Sequence, residues 1–307
     1  MSATALNETL ATARYEISGP DGAPVVLALG GISATRHVVR TADDATPGWW
    51  EGIVGRERPI DTTRFRVLSV DFRDGGRAPD GRPAEVITTR DQAAHIVDVL
   101  DQLDIARLEV AIGASYGGMV VLALAEHWPE RVGRLVVISA AHEPHPMSIG
   151  LRAIQRRIVE FGLETGRSDD GMALGRAVAM TTYRTAREFS ERFGVTPEET
   201  ERGPVFEVER YLIGAGEKFA TRMAPERFLA LSLSVDLHHV VPESVKVPTT
   251  IIAARGDTLA SLAQMRAMSK RLPNLEAFHV LQTRFGHDAF LTEQRKLGRP
   301  LTATLAD

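Results

Sequence analysis

Residues 108–118 read Leu-Glu-Val-Ala-Ile-Gly-Ala-Ser-Tyr-Gly-Gly, and this stretch restricts the fold more than any other part of the chain. A short apolar run of β type ends at Gly113, and Met119 to His127 then has the composition of a buried helix. Ser115 therefore falls on a strand-to-helix turn, the Gly-x-Ser-x-Gly elbow. The glycines have a mechanical reason: so sharp a turn brings the two backbones too close for a β-carbon, and strains the serine into a sparsely populated conformation. The consequence is an exposed hydroxyl near a helix N-terminus. An ordinary glycine-rich βα turn would use the same residue types, so other parts of the chain must decide between them.

The surrounding sequence alternates strand and helix. Residues 14–20 and Pro24 to Leu29 read as the first strands, the second a Val-Val-Leu-Ala-Leu run suited to a sheet covered on both faces. Gly30-Gly31-Ile32-Ser33 follows as a loop, and Pro47-Gly-Trp-Trp50 lies in another, where adjacent tryptophans point to packing. Phe65 to Asp71 alternates like a strand, Thr89 to Leu103 keeps helical spacing, and Arg134 to Ser139 is a further strand after the elbow helix. Strands alternating with helices imply right-handed crossovers and a mostly parallel central sheet with helices on both faces.

At about residue 142 the pattern changes. Residues 142–235 contain no convincing buried strand, whereas Ile149 to Phe161, Gly171 to Tyr183, Ala186 to Phe193, Phe206 to Phe219 and Pro225 to Leu233 carry helical periodicity. The segments Gly162–Gly171 and Gly194–Pro204 read as loops between them. The expected organisation is an α/β core from residues 1–141 and 236–307, with 142–235 inserted as a helical lid over one edge of the sheet. The α/β pattern resumes with a strand, Val247 to Ala254, then Arg255-Gly-Asp257, a helix from Leu259 to Leu272, a strand from Ala277 to Leu281, and the loop Phe285-Gly-His287-Asp288.

Ser115, then Asp257 just past a strand, then His287 after the next strand, is the chain order of the triad in the α/β-hydrolase fold, which this arrangement resembles. Each residue stands beyond the carboxyl end of a strand, where open parallel sheets place their ligands. The chemistry needs these types. A serine hydroxyl is a poor nucleophile until a base takes its proton, imidazole titrates near neutrality, and a carboxylate fixes the tautomer and supports the imidazolium. The backbone N–H of Tyr116, with that of Gly31 or Ile32, would complete an oxyanion hole. His142, His145, His238 and His239 are rival bases, but none follows a strand after Asp257; they read as packing or loop residues, without zinc-ligand spacing.

Composition narrows the alternatives. The chain has no cysteine, which excludes disulfides, thiolate metal sites and a cysteine nucleophile. With 36 basic against 40 acidic residues and a net charge of -4, there is no basic footprint for nucleic acid or an anionic membrane. There is no apolar run of about 18 residues to span a bilayer. The first residues lack the basic and apolar segments of a signal peptide, so a cytoplasmic enzyme is expected.

Four stretches are more specific than the triad: Gly113-Ala-Ser-Tyr-Gly-Gly-Met119, Met180-Thr-Thr-Tyr-Arg-Thr185, Tyr211-Leu-Ile-Gly-Ala-Gly-Glu-Lys-Phe219 and Gly286-His-Asp-Ala-Phe-Leu291. In these the chain resembles the homoserine O-acyltransferases over roughly residues 24–292. Gly30-Gly-Ile-Ser-Ala34, Pro47-Gly-Trp-Trp50 and Ser139-Ala-Ala-His-Glu-Pro-His-Pro146 look closest to the succinyl-transferring branch. The resemblance implies a homodimer without cofactor or metal, using acyl-CoA as co-substrate and forming O-acylhomoserine on the route to methionine. It assigns Ser115 as nucleophile, Asp257 and His287 as its relay, and Arg184 and Asp288 as anchors for the carboxylate and ammonium of L-homoserine.

One departure bears on the donor. The family usually has a His-Ala-Leu-Thr-Gly type sequence where this chain has Gly30-Gly31-Ile32-Ser33-Ala34, which leaves succinyl-CoA, the favoured donor, and acetyl-CoA both open. A succinate carboxylate needs a cation, and Arg36, Arg73, Arg77 and Arg152 all qualify from sequence. L-serine as acceptor, a plain esterase or thioesterase, and a non-catalytic binding homologue stay open as alternatives.

Overall fold

A computed structural model describes residues 14–306 except 43 and 202. The described residues open with β1 (Tyr15–Ser18) and β2 (Val25–Leu29), followed by a two-strand ladder of β3 (Val54–Gly55) and β4 (Ile60–Asp61), then β5 (Arg66–Val70). Helix α1 (Thr89–Gln102) leads to β6 (Leu108–Ala114), α2 (Tyr116–His127) and β7 (Val132–Ile138). A largely helical stretch follows: α3 (Pro146–Glu164), α4 (Ser168–Tyr183), α5 (Ala186–Arg192), a hairpin of β8 (Glu198–Thr200) and β9 (Gly203–Val205), α6 (Glu207–Ala220) and α7 (Pro225–Asp236). Then come β10 (Thr249–Ala254), α8 (Leu262–Ser269), β11 (Leu275–Leu281), the short α9 (Ala289–Thr292) and α10 (Gln294–Ala306).

The main sheet has seven strands in the order β1-β5-β2-β6-β7-β10-β11. Every pairing is parallel except that of β1 with β5. Alternation along the strands makes two cores. Leu27, Val137 and Ile251 face one side, where they meet α1, α2 and α8; Val26, Val136 and Ile252 face the other, where they meet Trp50 and α10. Because both faces are covered, the central strands are apolar throughout, as expected of a parallel sheet.

Helix α2 is buried from Tyr116 to Ala125, so it has no polar face to orient and its position is fixed by packing between sheet and α1. Helix α1 begins with a capping box: Asp91 N–H donates to Thr88 Oγ1, and Thr88 N–H donates to the Asp91 carboxylate at 2.8 Å.

The stretch expected to be a loop at Gly162–Gly171 is mostly helical, with α3 running to Glu164 and α4 starting at Ser168. The glycines serve a helix crossing there: a β-carbon on Gly162 would lie 2.9 Å from the Gly171 Cα. Helix α10 had no counterpart among the expected elements. It seats Leu297, Leu301 and Leu305 against the second core, with Pro300 accommodated inside it.

Candidate active site

The elbow is built as the glycine pattern requires. Ser115 has φ 55° and ψ −120°, a left-handed strain that a residue accepts only when its surroundings over-determine it. A β-carbon on Gly113 would lie 2.2 Å from the Gly117 carbonyl oxygen, and one on Gly117 would lie 2.6 Å from that of Leu29. The turn is thus pinned between α2 and the end of β2, and the Gly117 N–H donates to the Gly30 carbonyl at 2.9 Å.

Asp257 follows β10 and His287 lies in a single turn, Gly286–Asp288, after β11. The three expected residues meet in one hydrogen-bonded chain. Ser115 Oγ stands 2.8 Å from His287 Nε2, and His287 Nδ1 stands 2.8 Å from Asp257 Oδ2. The other Asp257 oxygen accepts from the N–H groups of Leu259 and Ala260 at 2.9 and 3.0 Å, which fixes the carboxylate plane. Burial pulls the His287 pKa down, but the charge and hydrogen bond of Asp257, helped by Asp288, outweigh it and leave the imidazole above its ordinary value.

The expected oxyanion donors lie beside this chain. Tyr116 is the first residue of α2, so its N–H has no intrahelical acceptor. Its side chain is anchored by a 2.6 Å contact of the phenol with Ser234 Oγ, and burial raises the phenol pKa. A β-carbon on Gly31 would lie 3.9 Å from Ser115 Oγ, so this loop's backbone runs past the hydroxyl. The Ile32 N–H donates to no oxygen among the described residues.

Ser115 and His287 open onto two lobes of a cavity, both lined by Ile32 and Tyr183. The first lobe passes Met119 and Ser148 to Arg152 on α3. The second passes Gly31 and Trp49 to Asp288 and Arg176. Arg184, the other expected anchor, is not among the residues lining either lobe. Its Nε donates to Asp288 Oδ2 at 2.7 Å and its NH1 lies 3.7 Å from Glu188, so both expected anchors are brought together as an ion pair.

Of the four arginines considered for an acyl carboxylate, three are engaged elsewhere. Arg36 pairs with Asp71 at 2.7 Å, Arg73 lies 3.5 Å from Glu85, and Arg77 lies 3.6 Å from Glu226. Arg152 alone of the four lines the cavity. Its Nε donates to Asp236 at 2.5 Å, Arg156 holds the second Asp236 oxygen at 2.6 Å, and Arg152 NH2 is buried with no partner. A buried donor left unpaired costs free energy and asks for a reason.

The rival histidines do not reach Ser115. His145 accepts from the Met147 N–H at the start of α3, and His239 is exposed. His142 and His238 are buried, His238 so fully that its pKa is pushed down to about 3. No group of three or more His, Asp or Glu residues is placed to hold a metal ion among the described residues. Trp50 packs, fully buried, with its indole N–H on the Phe290 carbonyl, while Trp49 stacks on it and lines the second lobe. Arg176 carried no expectation in the sequence. Its one available signal is the seven-residue spacing to Tyr183, which puts both on one face of α4.

A family model described as the alpha/beta hydrolase fold matches residues 24–294. A homoserine O-succinyltransferase from Xanthomonas campestris pv. campestris is 41% identical over 292 residues, which cover 95% of this chain and 78% of that protein. An L-serine/homoserine O-acetyltransferase from Streptomyces lavendulae is 32% identical, covering 92% of this chain and 87% of its own. Among solved structures, esterase E22 superposes with a TM-score of 0.85 at 20% identity, over 95% of this chain and 93% of the other, a likeness of fold. The chain has the alpha/beta hydrolase fold and, by these relatives, belongs to the homoserine O-acyltransferases.

Proposed function

We propose that this protein transfers the succinyl group of succinyl-CoA to the hydroxyl of L-homoserine, through an acyl-enzyme on Ser115, in methionine biosynthesis. The observation that supports the choice of donor is Arg152, which alone of the four arginines lines the lobe that opens at Ser115 and whose buried NH2 has no partner. A succinyl chain lying in that lobe would place its free carboxylate there as a charge-assisted partner. An acetyl group would bring no such partner to Arg152.

In the first half-reaction His287 takes the Ser115 proton as the oxygen attacks the thioester carbonyl. The N–H groups of Tyr116 and Ile32, or Gly31, receive the developing oxyanion, and the thiol of CoA leaves with the proton from His287. In the second, His287 takes the proton of the homoserine hydroxyl, which attacks the acyl-enzyme and restores Ser115. Asp288, which lines the second lobe, takes the ammonium of the amino acid, and Arg184, paired with Asp288 behind it, reaches the amino acid only if that ion pair opens. Residues 142–235 act as a lid over Ser115, favouring the amino-acid hydroxyl over water by holding it at high effective molarity.

The first test is thiol release from succinyl-CoA and acetyl-CoA, with and without L-homoserine or L-serine, together with intact-mass detection of the adduct. Release that needs succinyl-CoA and homoserine, with a succinyl adduct on Ser115, is expected. Release indifferent to any amino acid would make the protein a thioesterase. Arg152→Met is expected to lower kcat/KM for succinyl-CoA by about 10- to 100-fold and to leave acetyl-CoA within a few-fold. Arg156 remains to hold Asp236 in that variant. Equal loss with both donors would remove Arg152 from donor selection.

The protein is further proposed to be a cytoplasmic homodimer. In support, no helix among the described residues is long and apolar enough to cross a membrane. Met147, Ile154 and Phe161 repeat at seven-residue spacing on α3 and are 68%, 55% and 61% exposed, an apolar stripe that a second copy would cover. Sedimentation should give a two-chain mass that Ile154→Glu with Phe161→Glu reduces to one; a one-chain mass for the unaltered protein would refute the dimer.

A further inference from the structure

Ser234 is a fully buried hydroxyl on α7, a helix that sends Phe228, Leu231 and Val235 into the first core. A serine inside a helix has an acceptor to hand in the carbonyl one turn back. The hydrogen bond formed here is instead the 2.6 Å one with the Tyr116 phenol, which is equally buried. Phenylalanine and alanine would fill the same space without a polar atom to desolvate. What the hydroxyl pair adds is a single direction, which apolar contact lacks.

The same helix takes hold of the Tyr116 ring. Arg227, seven residues before Ser234 and so on the same face of α7, donates to the Phe72 carbonyl at 2.8 Å. The Phe72 ring stands edge-on to Tyr116, with centroids 4.8 Å apart and planes at 72°. This grip matters because of where Tyr116 lies in the chain. It follows the strained Ser115 and opens α2, so helical bonding does not fix its N–H. Strain of that kind persists only where the surroundings over-determine it. The backbone of the turn is held through Ser115 and Gly117, and the side chain of Tyr116 through Ser234. We propose that Ser234 is a positioning residue: through the Tyr116 phenol, α7 keeps the Tyr116 N–H aimed at the oxyanion that forms over Ser115. The inserted helices then complete the oxyanion hole as well as covering it. This rests on the proposed acyl-enzyme at Ser115 and adds a residue on which both half-reactions depend.

The test uses Ser234→Ala, Tyr116→Phe and the double variant of the full chain. Each is expected to lower kcat by about tenfold with succinyl-CoA and with acetyl-CoA alike, because the thioester carbonyl is the same in both, and to leave KM within about twofold. The double variant should be no slower than the slower single one, since both remove one bond. n-Butylboronic acid, which adds to a serine as a tetrahedral anion, should bind about tenfold more weakly to each variant while the affinity for CoA is unchanged. That split separates positioning from a general loosening of the fold, which would weaken both ligands. Unchanged kcat, additive losses, a loss confined to one donor, or equal weakening of boronate and CoA would each overturn the role of Ser234. An unaltered enzyme that forms no adduct on Ser115 would overturn the acyl-enzyme itself, and this proposal with it.

Discussion

Ser115→Ala is expected to abolish the acyl adduct and to lower turnover by about 10⁵- to 10⁶-fold, the scale seen when a serine nucleophile acting within a triad is removed. Fold and thiol-ester binding should survive. The turn is held by backbone contacts at Gly113 and Gly117 and by the Ser115 N–H donating to the Ile138 carbonyl at 2.8 Å, none of which uses the hydroxyl. His287→Ala should cost about as much, and the double variant scarcely more, because the hydroxyl and imidazole act as one unit. Thiol release measured at high enzyme concentration checks this. Turnover within tenfold of the unaltered enzyme would remove Ser115 from the nucleophile role.

Asp257→Asn is expected to lower kcat by about 10⁴-fold while leaving the protein folded. An asparagine oxygen can still accept from Leu259 and Ala260, but its amide would donate to His287 Nδ1 where the carboxylate accepts. The imidazole would then carry its proton on Nε2 and face the Ser115 hydroxyl with a donor. The pH profile gives a second readout. His287 must be neutral to accept a proton, and its pKa is raised in the fold because Asp257 and Asp288 outweigh burial. Activity should therefore fall, as pH is lowered, at a midpoint above the ordinary histidine value of 6.5. Removing the Asp257 charge should move that acid limb of kcat/KM to lower pH. A limb that stays in place in Asp257→Asn would mean that some other group controls it.

Much of this arrangement was legible before the structure. The elbow, the strand that leads to Asp257 and the loop that carries His287 are local features, written in glycine spacing and β-branched runs, and the mostly parallel pairing of the sheet follows from alternating strands and helices, though the strand order does not. The arginines show where such reading stops. Arg36, Arg77 and Arg152 look alike in sequence, and only the fold takes Arg36 to Asp71 and Arg77 to Glu226 while Arg152 turns into the cavity. Arg176, which lines the second lobe, was invisible for the same reason, since the rings it lies against come from Tyr183 on its own helix and from Phe219 on another. Glycine misled once. At Gly162 and Gly171 it permits two helices to touch instead of ending them, and only the tertiary contact distinguishes the two uses.

The inserted helices and the sheet divide the labour in a way that bears on descent. Ser115, Asp257 and His287 hang from strand ends, while Arg152 belongs to α3 and Arg184 closes α4. With the roles proposed for these arginines, a lineage could change what it acylates, and with what, by rewriting two helices that lie between β7 and β10. The strands that hold the reacting atoms need not be touched, and neither inheritance nor design has to solve the chemistry a second time.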